Sequence, residues 1–472
     1  MDREQVALDY LENTTPSLTA LAQSIWDHPE IGLMENHAAG LIAGELERNG
    51  FSVTREAAGL PTAFIASWGT GGPTIGILGE YDALPGLSQK VAPIREPAEA
   101  GAPGHACGHN LLGTASMGAA LAAKHAMEQC QIPGTIRYHG CPAEETLIGK
   151  VFMARAGVFD DIDAMLSWHP SCLNTAKRTI NTALNSFKVN YHGIAAHAAG
   201  SPEEGRSALD GIELMDVGVN FLREHIIQEA RIHYTITHGG QAPNIVPEFA
   251  QAWYYVRAPR RDQVEDIYAR VLDIARGAAL MSGTSHDIEF ITGCYDTLIN
   301  TVVSEVLQKK MEKIGPPPFA DEDRALAKSL QGTFPEGSID RVLDRIDTTR
   351  EAVGDLLCEK VVGPIGVGKM MGGSTDVGDV SYIVPTAEIT TCCWPIGTPG
   401  HSWQIVASSG SSIGAKGMML AAKTLALAAL KLETAPDILA AARAEFEAAT
   451  RNKEYISPIP DDVDLQLPQT EK

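Results

Sequence analysis

The chain has 472 residues, 44% of them hydrophobic, with a formal charge of −22 and an isoelectric point near 5.0. That length exceeds what one core needs, so two domains or three are expected. Strong acidity with no Lys/Arg-rich run argues against nucleic acid or an anionic membrane as a partner.

Residues 1–50 read as two helices. Ala7, Leu8, Leu11, Leu18, Leu21 and Ile25 recur at helical spacing, as do Leu41, Ile42 and Leu46. The charged start, Met1-Asp2-Arg3-Glu4-Gln5, lacks the basic segment and apolar core of a secretory signal. Strands are expected at 63–68 and 74–79, a helix at 112–129, and strands at 134–140 and 163–168. Strands alternating with helices predict an α/β layer sheet. Near residue 184 the pattern changes to strand 187–191, helix 208–223, strands 232–237 and 249–256, helix 264–279 and strand 288–292. That β-α-β-β-α-β order is the ferredoxin-like split unit. Inserted in a larger domain, it predicts a lid or dimerisation module.

The α/β pattern then resumes with a helix at 302–314. Residues 315–360, with Pro316-Pro317-Pro318, read as a surface elaboration with some helix. A loop-rich stretch starts at Gly372, and helices at 413–432 and 435–449 follow. The tail from Ser457 is expected to be poorly ordered. The expected division is a catalytic domain in two parts, 1–183 and 297–472, around an insert at 184–296. No apolar run approaches the roughly 20 residues of a transmembrane helix. The eight cysteines, at 107, 130, 141, 172, 294, 358, 392 and 393, form no disulfide framework. Cys392-Cys393 reads as a pair of buried structural thiols, and the cytoplasm is the expected compartment.

Cys107-Gly108-His109-Asn110 precedes the Ala-rich helix. Side chains two apart in a turn can converge on one ion, and a helix N-terminus favours thiolate over thiol. Alone, the motif equally describes a buried cysteine beside a capping histidine. Glu144-Glu145 closes the apolar run from Thr135. Adjacent acids there are costly unless something positive sits beside them, and a solvated turn is the plainer alternative. At a metal, one acid binds the ion and its neighbour takes a proton from water. His169 follows Ala164-Met165-Leu166-Ser167-Trp168 and is either a ligand or a satisfied core histidine. Asp82, in Gly79-Glu80-Tyr81-Asp82, either accepts the ring N–H of a liganding histidine or caps a turn. Thiolate, carboxylate and imidazole at strand ends, where open α/β sheets place their sites, read as a hydrolytic metal centre.

These motifs come with others in fixed order. They include Trp26-Asp27-His28-Pro29-Glu30, Gly193-Ile194-Ala195-Ala196-His197, Ser374-Thr375-Asp376-Val377-Gly378-Asp379 and Gly397-Thr398-Pro399-Gly400-His401-Ser402-Trp403. Together they resemble the metal-dependent aminoacylase and carboxypeptidase family of two-domain amidohydrolases, nearest its aminobenzoyl-glutamate branch. The resemblance implies a mixed-sheet α/β catalytic domain with the ferredoxin-like insert as lid and dimerisation domain. It implies two divalent metal ions, Zn²⁺ or Mn²⁺, held by Cys107, His109, Glu145, His169 and His401, with Cys107 bridging. Glu144 is implied as general base and Asp82 as the histidine's hydrogen-bond partner.

From the insert, the resemblance implies that His197 stabilises an oxyanion in a neighbouring protomer. It also implies that Asn244 and Arg257 hold the substrate's carboxylate. The implied substrate is an N-acyl amino acid. Dipeptides or indoleacetyl-amino acids are the alternatives. The implied assembly is a homodimer, or a hetero-assembly in which this chain needs a second, related one. Glu80 stands where other branches place a metal-binding histidine, so Cys107 and His109 must do that work. Thr146-Leu147-Ile148 replaces small, glycine-rich residues, which narrows the pocket beside the glutamate pair.

Overall fold

The computed structural model describes residues 1–451 and 453–467. Its strands in chain order are β1 Ser52–Arg55, β2 Phe64–Thr70, β3 Thr74–Glu80, β4 Gly134–Cys141, β5 Ala164–Ser171, β6 Thr175–Lys177, β7 Ile180–Asn181, β8 Ala183–His192, β9 Arg231–His238, β10 Phe249–Ala258, β11 Ser285–Cys294, β12 Met370–Met371 and β13 Thr386–Cys392. Seven of them form a mixed sheet in the order β1-β2-β4-β3-β5-β13-β6. Its centre is parallel, with β3 between β4 and β5, and β13 beside β5. The flanks are antiparallel.

Parallel pairing aligns the carboxyl ends of β3, β4 and β5, and Glu80 lies opposite Cys141 in register. The segments carrying Asp82, Glu144 and His169 therefore leave the sheet at one edge, as the sequence predicts. The helix His109–Cys130 packs on this sheet and against the helices Arg3–Asp27 and Ser412–Glu433. Its buried face is small (Ala115, Ala119, Ala122, Ala123, Ala126), so backbones approach closely; Gly118 lies under Leu18. The Ser412–Glu433 helix is long and apolar enough to cross a membrane, contrary to the expectation from the sequence, but most of it is buried inside the fold.

The second sheet is antiparallel, in the order β11-β8-β10-β9. With the helices Ala208–Leu222 and Arg261–Ser282 on one face, it is the ferredoxin-like unit expected. Along β10, Ala250, Ala252, Tyr254, Val256 and Ala258 are buried under these helices. The alternate residues Trp253, Tyr255 and Arg257 point the other way, as a two-residue period requires.

The helix expected within 315–360 is present as Asp321–Gln331, Ser338–Arg345 and Arg350–Val353. Two expectations need correction. Strand β13 lies inside the large sheet, between β5 and the edge strand β6, within a stretch read as loop-rich. The tail from Ser457 is docked rather than loose. Arg155 donates to the carbonyls of Pro460 and Val463, and Ile459 is buried. The last residues, 468–472, lie outside the described ones.

Candidate metal centre

The helix carrying His109 begins at that residue, three positions earlier than expected, with Gly108 left-handed at φ 76° before it. A side chain at 108 would be strained there and would press on Pro170 and Trp394. This turn brings Cys107 to 3.2 Å from His169 Nε2 (measured from Sγ) and buries His109.

Asp82 orders two neighbours at once. One oxygen accepts the Nδ1–H of His109 at 2.8 Å, and the other accepts the Glu145 backbone N–H at 2.9 Å. His169 donates its Nδ1–H to the Pro170 carbonyl at 2.7 Å. Both imidazoles thus turn Nε2 towards the other donors, that of His169 to the Cys107 thiol and that of His109 to no hydrogen-bond partner, the arrangement a liganding histidine needs.

Glu144 and Glu145 sit in a single 3-10 turn, Glu144–Thr146, between two left-handed residues, Ala143 and Leu147. Strain of this kind persists only when surrounding contacts enforce it. Buried Glu35, hydrogen-bonded to Thr62, accepts the Ala143 N–H at 2.8 Å, and Thr292 from the insert donates to the Leu147 carbonyl. His401 is also left-handed, at φ 48°, and places Nε2 3.5 Å from Glu145 Oε2.

Three groups of donors lie within 4.8 Å of one another: Cys107, His109 and His169; Cys107, Glu145 and His401; and Glu80, His109 and Glu144. All of them but the fully buried His109 line a cavity of about 420 Å³, together with Leu147, Tyr255, Arg257 and Ser374. A larger cavity, about 820 Å³, lies by Arg260, Tyr295, Tyr382 and Lys453 and contains none of these donors. Arg257 donates to Ser374 Oγ at 3.1 Å, and its Nε is buried without a partner. His197 and Asn244 are placed elsewhere. They lie side by side on the exposed surface of the insert, linked by the Ala198 N–H to the Asn244 carbonyl, and line no part of the cavity.

Electrostatics mark this edge as short of positive charge. Burial, with Glu80 and Glu145 nearby, pushes Glu144 well above the usual carboxylate range. Burial pushes Glu145 up to about 7 and holds His169 down at about 4. Cys107 corrects another expectation. Burial, reinforced by Glu145, raises its thiol well above normal, so the helix N-terminus alone does not make a thiolate. A bound cation would do that.

The donors fit a metal. His109 Nε2 and Glu145 Oε1 are buried without any hydrogen-bond partner. The 3.2–3.5 Å between paired donors is close to the roughly 3.4 Å that separates two ligands of one tetrahedral ion. Two residues at this edge have no counterpart among the expectations from sequence. Glu35 is one, and Lys150, buried with its ammonium 2.8 Å from Glu80 Oε1 and 2.5 Å from Asp376 Oδ1, is the other. Each looks like an ordinary charged residue until distant partners are known.

Fold and donor set together define a metal-dependent amidohydrolase. Residues 181–280 match the family model described as a peptidase dimerisation domain. The chain is 42% identical over 467 residues to the B component of the p-aminobenzoyl-glutamate hydrolase of Escherichia coli (strain K12), covering 96% of this chain and 97% of that one. It is 30% identical to the Xaa-Arg dipeptidase of Mus musculus, covering 96% and 94%. A dinuclear metal-binding peptidase of the M20 family from Bacillus subtilis shares the fold, with a TM-score of 0.58 at 17% identity, over 89% of this chain and 99% of that one. The chain belongs to the M20 family of metal-dependent peptidases and amidohydrolases.

Proposed function

We propose that the chain hydrolyses the amide between an acyl group and an amino acid with a free carboxylate, aminobenzoyl-glutamate or a close analogue, using two divalent ions, Zn²⁺ or Mn²⁺. The observation that carries this reading is the position of Cys107. Its sulfur belongs to two donor groups, with His109 and His169 on one side and Glu145 and His401 on the other. A shared thiolate between imidazole and carboxylate donors suits a pair of such cations. Charge supports two ions rather than one. Glu80, Asp82, Glu144, Glu145 and Asp376 gather with the thiol around a single buried ammonium, Lys150. Two divalent ions bring that balance near neutral, and one leaves it strongly negative.

Bound there, the ions supply an acidified water and a polarised carbonyl. Glu144, on the cavity wall, takes the water's proton and returns it to the leaving nitrogen. Arg257 offers its planar guanidinium to the substrate carboxylate, which fixes the scissile bond against the water. In a homodimer built through the insert, the partner's His197 stabilises the oxyanion and the partner's Asn244 shares the carboxylate with Arg257. The division into 1–183 with 297–472, and 184–296, is the domain organisation this reading uses. The cytoplasm is the compartment it assumes.

Substituting Glu144→Ala is expected to abolish turnover while metal content stays unchanged; an active, metal-loaded variant refutes the base assignment. Release of free amino acid from N-acyl amino acids and dipeptides, with Zn²⁺ or Mn²⁺ added, tests the substrate. Cleavage of dipeptides alone establishes the second reading, a dipeptidase, which the similarity to the mouse enzyme favours. Activity that appears only with a second related chain identifies a hetero-assembly, in keeping with the E. coli relative's being named as one component of a hydrolase.

A further inference from the structure

Glu80 ends β3 in the middle of the sheet edge and is 2% exposed. Its two oxygens face different partners. Oε1 is 2.8 Å from Lys150 Nζ, and Oε2 is 3.5 Å from His109 Nε2. That nitrogen has no hydrogen-bond partner, and its ring is fixed by Asp82, so it points at whatever ion the site holds. Lys150 is itself clamped. Its ammonium is 2.5 Å from Asp376 Oδ1, and its backbone N–H donates to Asp376 Oδ2 at 2.8 Å.

From this geometry we propose that Glu80 is a further ligand of the ion bound at His109, aimed by the buried Lys150–Asp376 pair. The inference rests on the metal centre proposed above. Three features separate it from a simple ion pair. First, Asp376 alone already matches the lysine's charge, so Glu80 leaves one buried negative charge that only a further cation removes. Second, the 3.5 Å between Glu80 Oε2 and His109 Nε2 matches the roughly 3.4 Å spacing of two donors on one tetrahedral ion. Third, Glu80 and His109 share their donor group with Glu144, so the carboxylate lies on the cavity side of the histidine. Glu80 thus does the work expected of Cys107 and His109 alone, and Lys150 and Asp376 are positioning residues.

The two ion sites then differ. One is built around buried His109, with Glu80 added to its donors. The other has the shared thiolate, Glu145, and a His401 whose side chain is 56% exposed. The first is expected to hold its ion more tightly.

The test uses the full-length protein loaded with Co²⁺ or Zn²⁺. Metal content is measured after dialysis against graded chelator, and the visible Co²⁺ spectrum is recorded. Wild type is expected to bind two ions in two separable steps. Glu80→Gln is expected to weaken the tighter step about a hundredfold and to change the Co²⁺ bands, and Lys150→Met to weaken it about tenfold. If Glu80→Gln folds poorly, Glu80→Ala, which leaves the Lys150–Asp376 pair intact and opens room for a water, is expected to show the same loss. Two ions bound with wild-type affinity and an unchanged spectrum in either Glu80 variant overturns the proposal while leaving the metal centre intact. A wild-type protein that binds no metal overturns the underlying centre itself.

Discussion

Glu433 ends the helix Ser412–Glu433 with its carboxylate against the backbone of Gly134, and neither of its oxygens has a hydrogen-bond partner. Burial, with Asp163 nearby, raises it from 4.5 to about 9. Unlike the acids at the sheet edge, it belongs to no donor cluster among the described residues. An acid whose folded pKa lies above its unfolded one destabilises the fold once pH exceeds the unfolded value. The cost starts near pH 4.5, grows through neutrality and levels off past about pH 9. Glu433→Gln is therefore expected to stabilise the protein by about 1–3 kcal/mol at pH 8 and to be neutral below pH 4, read by urea unfolding across that range.

Residues like this explain which side chains were legible in the sequence. Cys107, Glu144, Glu145 and His169 stand at the ends of apolar runs, where a polar residue is conspicuous. His401 follows His169 by more than 230 positions in a Gly/Pro-rich loop, so only the family likeness could point to it. Lys150 lies amid apolar neighbours and is explained by Asp376, 226 residues away.

The turn that carries the glutamate pair shows the same dependence at the level of the element. Gly149 follows it closely, and a Cβ there would lie 1.8 Å from the Pro142 carbonyl oxygen. Backbone cannot yield as a flexible side chain does. Gly149→Ala is expected to cost about 3 kcal/mol and to release metal, checked by thermal unfolding and metal analysis of the purified variant. Most elements were visible in advance because their periods are clean. The insert's alternating β10 and its two amphipathic helices are examples. Strand β13 was not, because its sequence, Thr386-Ala387-Glu388-Ile389-Thr390-Thr391-Cys392, is polar for a strand paired on both sides. Its hydroxyls are satisfied locally instead; Thr391, fully buried, donates to the Gly417 carbonyl at 3.0 Å. Such pairing across distant segments leaves no periodic trace.

At the scale of the whole molecule, the cavity and the exposed pair His197 and Asn244 belong to one reaction only if two chains meet. Mixing provides a direct check. Glu144→Ala and His197→Ala are each expected to be inactive. Co-refolded in equal amounts, they are expected to regain about a quarter of wild-type activity, since half the dimers are mixed and each has one intact composite site. No recovery in a confirmed mixed dimer removes His197 from the partner's chemistry. Even a correct assembly would hinge on one atom. Because two of the three donor groups share the sulfur of Cys107, a single encounter with peroxide that converts it to a sulfenic acid would disable both at once. The centre's tolerance of oxidative stress is then set by how well the bound cations shield that sulfur.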